Sequence, residues 1–245
     1  MKTILVWLAL FLVSPGILAD SEKPVVKVVF LSFADYSQRG ESGEVVGKGV
    51  DIVRQLFAEA GYPIEVSILP AARIWIGLEN GSIHAWPGIA NKPGLEQHTL
   101  QTEHNIGRVA INLYYLPGTP PPRWPDDIYN KSIITITNFT YTNEVRRLLS
   151  DPARNLTIHG SASHVGAVRM LLRGRSDYLL DYRSQVGAAL DTLDMSGLPS
   201  VPVLDLPMRF LLSRHSGFAE QLKRDLDAAY ERLQARGEGI SLPLL

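Results

Sequence analysis

Two successive β-α-β-α-β runs predict an α/β protein of two lobes, the strands of each lobe being joined by crossover helices. A long apolar strand and a proline cluster, Pro117-Gly118-Thr119-Pro120-Pro121-Pro122, separate the two runs. A glycine-bracketed junction, Gly47-Lys48-Gly49-Val50-Asp51, opens the first crossover helix, and an apolar N-terminal segment precedes everything.

That segment, Met1 to Ala19, has the layout of a secretion signal. Lys2 supplies a positive charge, Ile4 to Val13 is apolar, Pro15-Gly16 breaks the run, and Leu18-Ala19-Asp20 offers a small residue for cleavage. The apolar run is too short to span a bilayer comfortably. The chain has no cysteine, which excludes disulfides, thiolate catalysis, thiolate metal sites and a lipid-anchored N-terminal cysteine. Losing Lys2 with the signal takes the 24 basic residues to 23, against 25 acidic ones. With no basic excess to collect phosphates, nucleic acid is not an expected partner. The remaining length suits one large domain or two small lobes, here divided as 20–110 plus 213–245 and 111–212, in a monomer of the periplasm.

In the first run, Val25 to Phe33 is a β-branched apolar stretch read as a buried strand, followed by a polar loop to Glu44. Val50, Val53, Leu56, Phe57 and Ala60 recur at helical spacing, with Gly61 after them as a terminator. Ile64 to Ile68 alternates as a strand. Ala72 to Glu79 is a short helix stopped by Asn80-Gly81, and Ile83 to Trp86 is a third strand. Val109 to Leu116 begins the passage to the second run. There, Ile133 to Thr137 is a strand, Thr140 or Thr142 caps a helix carrying Val145, Leu148 and Leu149, and Asp151-Pro152 stops it. Leu156 to Ile158, a helix from Ser163 to Leu172 and the strand Tyr178 to Leu180 complete the set. Arg209 to Ser213 is a late strand, and Phe218, Leu222, Leu226, Ala229 and Leu233 mark a final helix before Gly237. Two strands passing between two such lobes make a hinge beside a cleft, and ligands of open α/β sheets sit beyond the carboxyl ends of the strands.

Several pieces in this order resemble the family-3 extracellular solute-binding proteins, the polar amino-acid-binding components of ABC importers. The pieces are Gly43-Glu44-Val45-Val46-Gly47 with Val50-Asp51-Ile52-Val53, then Leu78 to Ala85, then Gly174-Arg175-Ser176-Asp177, then the last helix ending at Gly237. The resemblance implies a periplasmic-binding-protein-like clamshell with a two-strand hinge, a small-molecule ligand held between the lobes, and an inner-membrane ABC permease or receptor as partner. It implies that Tyr36 covers the ligand, that Gly88 to Asn91 presents backbone and hydroxyl groups, and that Asp181 or Tyr182 occupies the position of a carboxylate receiving the ligand's amino group. Lys48 stands where many members carry a second aromatic residue. The family's Thr followed by an α-carboxylate-gripping Arg is replaced here by Asn91-Lys92-Pro93-Gly94-Leu95-Glu96.

Arg73, just after the second strand, is the expected substitute for that arginine, since a guanidinium pairs bidentately with a carboxylate; the alternative is an arginine on the helix's exposed face. Thr140, Tyr141 and Thr142 lie where a helix N-terminus favours an anion. Trp75 and Trp86 both flank the cleft; Trp75 reads as core, and Trp86 is either core or a ligand contact.

No cofactor or metal is expected. The six histidines are scattered, with no His-x-x-x-His spacing, and Gly160-Ser161-Ala162-Ser163-His164 lacks a nucleophile elbow. A ligand-sensing adaptor for a membrane receptor is the alternative function. A dehydratase-type enzyme on this scaffold needs a general acid in the cleft, for which Asp35, Glu41 and Asp181 are the candidates.

Overall fold

The computed structural model describes residues 23–33, 36–137, 139 and 141–241. The segment read as a secretion signal, Asp35 and Thr140 lie outside the described residues.

The chain runs β1 (Val26–Phe30), β2 (Gln38–Arg39), β3 (Val45–Val46), α1 (Lys48–Glu59), β4 (Ile64–Ile68), α2 (Ala71–Asn80), β5 (Ala85–Ile89), β6 (Thr99–Gln101) and β7 (Gly107–Tyr114). It continues with β8 (Ser132–Ile136), α3 (Asn143–Ser150), β9 (Thr157–Ser161), α4 (His164–Leu172), β10 (Tyr178–Tyr182), α5 (Arg183–Thr192), β11 (Ser200–Ser213) and α6 (Ala219–Ala235). Among the described residues the main sheet has nine strands in the order β4-β1-β5-β11-β7-β10-β8-β9, with β6 also on β11. It is parallel at each end, β1 with β4 and β5, and β8 with β9 and β10. The middle is antiparallel, because β11 pairs with β5 over Met208–Leu212 and with β7 over Ser200–Met208, and β7 pairs with β10. Strands β7 and β11 therefore carry the sheet from one parallel unit to the other. This is the mixed α/β fold of a two-lobed clamshell.

Alternation sets the layers. Val26, Val28 and Phe30 of β1 face α1 and α6, packing with Val50, Val53, Phe57, Leu222 and Leu226. Val29, one residue out of phase, faces α2 through Ile74 and Leu78. In the second unit Ile134, Ile136 and Leu179 meet Val168 and Leu171 of α4 and Val186 of α5. The last helix is pinned to α1 by charge as well as packing. Glu59 accepts from Arg232 at 2.7 Å and from Arg236 at 2.8 Å.

The helix entry at Gly47 has a steric cause. Gly47 has φ 130°, and a Cβ there would meet the Tyr36 carbonyl oxygen at 2.5 Å. A Cβ on Gly49 would meet the Tyr36 ring at 2.3 Å. The glycine pair lets the first turn of α1 lie directly on Tyr36, while Lys48 between them points to solvent.

Candidate ligand-binding site

A cavity of about 410 Å³ opens at the carboxyl ends of β1, β4 and β5, within the usual range of roughly 300–1,000 Å³ for small-molecule sites. The first lobe supplies Phe33 and Tyr36 after β1, Ala71 and Trp75 of α2 after β4, and Trp86, Gly88 and Lys92 at and beyond β5. From the second lobe come Phe139 after β8 and Tyr182 at the end of β10. The two sides touch through aromatic edges: Phe33 lies 6.2 Å from Phe139 and 5.9 Å from Tyr182, ring centre to ring centre, each nearly perpendicular. Phe139 and Tyr182 are 5.2 Å apart. Such edge-to-face contacts between lobes favour the closed arrangement.

Each wall has a local cause. Gly88 permits Trp86 to lie flat, since a Cβ at that position would sit 2.2 Å from the indole. Trp86 then packs against Trp75 at 4.6 Å, and both line the cavity. Asn91 takes a left-handed conformation, φ 54°; its backbone N–H donates to Oε1 of Gln101 of β6 at 3.0 Å, and its side-chain Oδ1 accepts from Nε2 of Gln101 at 3.1 Å. That turn places Lys92 in the lining, 7% exposed, with its ammonium 5.3 Å from the centre of the Trp75 ring. Burial holds the Lys92 ammonium below the ordinary lysine range, and the positive charge of Arg146 on α3 adds to the depression. Tyr36 is 3% exposed; its hydroxyl has no hydrogen-bond partner among the described residues, and burial raises its pKa.

Of the residues singled out from sequence, Tyr36, Trp86, Gly88 and Tyr182 line this cavity. Arg73, Tyr141 and Asp181 do not. Arg73 is exposed and borders a separate outer groove with Lys27, Glu65 and Ile76, so it is no carboxylate clamp for the cleft. Tyr141 is a structural post: its hydroxyl donates to the Leu180 carbonyl at 2.9 Å and accepts from the Ile136 amide at 3.2 Å. Asp181 points to the opposite face of β10. One carboxylate oxygen meets Nδ1 of His164 at 2.8 Å and the other accepts from the Tyr182 amide at 2.7 Å. Burial pushes the Asp181 carboxyl up, and the His164 partner pulls it part of the way back. The His164 ring in turn abuts Phe139 at 5.2 Å, so the pair backs the cavity wall without reaching the cavity. Thr140 lies outside the described residues, and Thr142 caps α3 by accepting from the Val145 amide.

Sequence reasoning missed Lys92, Phe33 and Phe139; Trp75, read as core, packs against the cluster of Val29, Ile74 and Leu78 and lines the cavity as well. Among the described residues no carboxylic acid lines the cavity, and Lys92 is its one charged group. No group of three His, Cys, Asp or Glu residues among them is placed to hold a metal ion, and no helix among them is long and apolar enough to cross a membrane.

No family model and no curated protein matches the chain by sequence. Solved structures do match its fold. An ancestral arginine-binding protein bound to arginine aligns with TM-score 0.68 at 15% identity, covering 88% of this chain and 95% of that one. A histidine kinase sensor domain with similarity to periplasmic binding proteins aligns with TM-score 0.68 at 14% identity, covering 89% and 93%. The substrate-binding protein of an amino acid ABC transporter aligns with TM-score 0.64 at 14% identity, covering 88% and 95%. At these identities the likeness establishes a shared clamshell fold.

Proposed function

We propose that this protein is a solute-binding protein that captures a small carboxylate-bearing molecule between its lobes. The observation that carries this reading is the cavity itself, walled by residues of both parallel units and roofed by the Phe33, Phe139 and Tyr182 contact. A ligand in that position contacts both lobes at once only when they are closed, so its binding energy shifts the population toward the closed form.

The apolar N-terminal segment supports a periplasmic location, and the fold shared with the binding protein of an amino acid ABC transporter supports delivery to an inner-membrane permease. A second reading, a ligand-sensing adaptor for a membrane receptor, is favoured by the match to a histidine kinase sensor domain at TM-score 0.68. Thermal unfolding of refolded, ligand-free protein against a panel of amino acids, short peptides, polyamines and organic acids tests capture. A ligand at a hundredfold its Kd stabilises by about 2.7 kcal/mol, and the absence of any upward shift across the panel would refute the reading.

A further inference from the structure

The lining of the cleft carries information about ligand class that its shape alone does not. Lys92 is more than nine-tenths buried, yet among the described residues its ammonium has no hydrogen-bond or ion-pair partner. Other lysines in the fold find acids: Lys23 pairs with Asp225 at 2.8 Å and Lys223 with Glu103 at 2.6 Å. The one contact printed for the Lys92 ammonium among the described residues is the Trp75 ring, 5.3 Å from its centre. An ammonium that opens into a mainly apolar cavity without a counter-ion gains a partner when an anion enters beside it. The rest of the lining is mainly apolar and includes Phe33, Trp75, Trp86, Phe139 and Tyr182.

We infer that the solute is an apolar carboxylate, an acid with an aromatic or aliphatic body and no amino group, whose carboxylate meets Lys92 and whose body fills the aromatic cage. An α-ammonium would be taken out of water into a lining that offers no acid among the described residues, because Asp181 is turned away onto His164. It would also stand close to the Lys92 charge. An amino acid therefore loses on its ammonium what it gains on its carboxylate. The inference rests on the solute-capture reading above and narrows it.

The test uses probes that share one body. The refolded mature protein is titrated by calorimetry at neutral pH with 3-phenylpropanoate, L-phenylalanine and 3-phenylpropan-1-ol, and with hexanoate as the aliphatic counterpart. The expected result is that at least one of the two acids binds, and binds about 10- to 100-fold more tightly than L-phenylalanine or the alcohol, the usual worth of one charge-assisted hydrogen bond. Lys92→Met, which keeps the length of the side chain, should bring the acid to the level of the alcohol. Thermal unfolding confirms that the variant is folded. Should it fail to fold, the wild-type pH profile takes its place: affinity for the acid falls as pH rises through the depressed Lys92 titration. Equal or tighter binding of L-phenylalanine, or an acid affinity indifferent to Lys92→Met and to pH, overturns the inference. Binding of L-arginine or L-glutamate with neither acid binding overturns it too but leaves solute capture standing. Silence of every probe and of the wider panel overturns both.

Discussion

Gly88→Ala adds one methyl group at the most crowded point of the cavity wall. The new Cβ would stand 2.2 Å from Cη2 and Cζ2 of Trp86 and 2.4 Å from its Cε2, well inside the roughly 3.5–4.0 Å at which carbon atoms attract. The indole must therefore retreat by more than an ångström. It is 5% exposed, and the Trp75 ring lies 4.6 Å from it, so the retreat displaces Trp75 and the Lys92 ammonium that sits over it. Overpacking of this kind costs about 1–3 kcal/mol. At roughly 2–4 °C of melting temperature per kcal/mol for a chain of this size, the expected loss is about 2–12 °C. Melting followed by tryptophan emission reads the stability and the indole environment in one experiment. The variant should melt lower, show shifted emission, and bind the phenyl-bodied acid more weakly. A variant that melts with the wild type and emits identically would show that Trp86 does not lie over Gly88, and the geometry of the cavity would have to be redrawn.

The remaining predictions separate structural groups from ligand-binding ones. Tyr141→Phe leaves the Leu180 carbonyl and Ile136 amide without their buried partner; it should lower stability by about 1–3 kcal/mol in urea unfolding while ligand affinity stays unchanged. Asp181→Asn weakens the support of His164 and should likewise appear in stability; an affinity loss larger than that of Tyr182→Ala would return Asp181 to the site. Glu59 is held down to about 2 by Arg236 and Arg232, so its contribution to stability is present above the unfolded-state value near 4.5 and is lost as pH falls toward about 2. Acid unfolding of Glu59→Gln should be flatter than wild type within that window, and a coincident curve would contradict the α1–α6 ion pairs.

Much of the scaffold was legible because its boundaries carry punctuation. Gly47 and Gly61 bracket α1, Ser163 caps α4 by accepting from the Gly166 amide, and Thr142 caps α3. Helix α5, most of β11 and the short strands β2 and β6 escaped. Helix α5 begins at Arg183 directly after β10 ends at Tyr182, with no turn residue and no side-chain cap between them. Strand β11 was read only over its last residues, since Pro199, Pro202 and Pro207 argue against a strand. The structure tolerates Pro202 beside the register shift between Pro202 and Leu204, and Pro207 at the end of the β5 pairing, where its carbonyl still accepts from the Ala90 amide at 2.9 Å.

The misplaced site residues failed by half a period. Ala71 and Trp75 both line the cavity and stand four residues apart, on one face of α2. Arg73 lies midway between them, about 200° around the helix from each at 100° per residue, which takes it to the outer groove. On β10 the period is two. Tyr182 shares its face with Tyr178 and Leu180, so Asp181 belongs with Leu179, on the α4 side. Both phases could have been computed from the sequence once one residue of each element was fixed in the cavity. Lys92 could not, because it lies on a turn with no period. Its position depends on the left-handed Asn91 and on the Asn91–Gln101 amide pair, a contact with β6, a strand of three residues that no pattern announced. The residue that gives the cleft its charge is thus the one whose placement is least local.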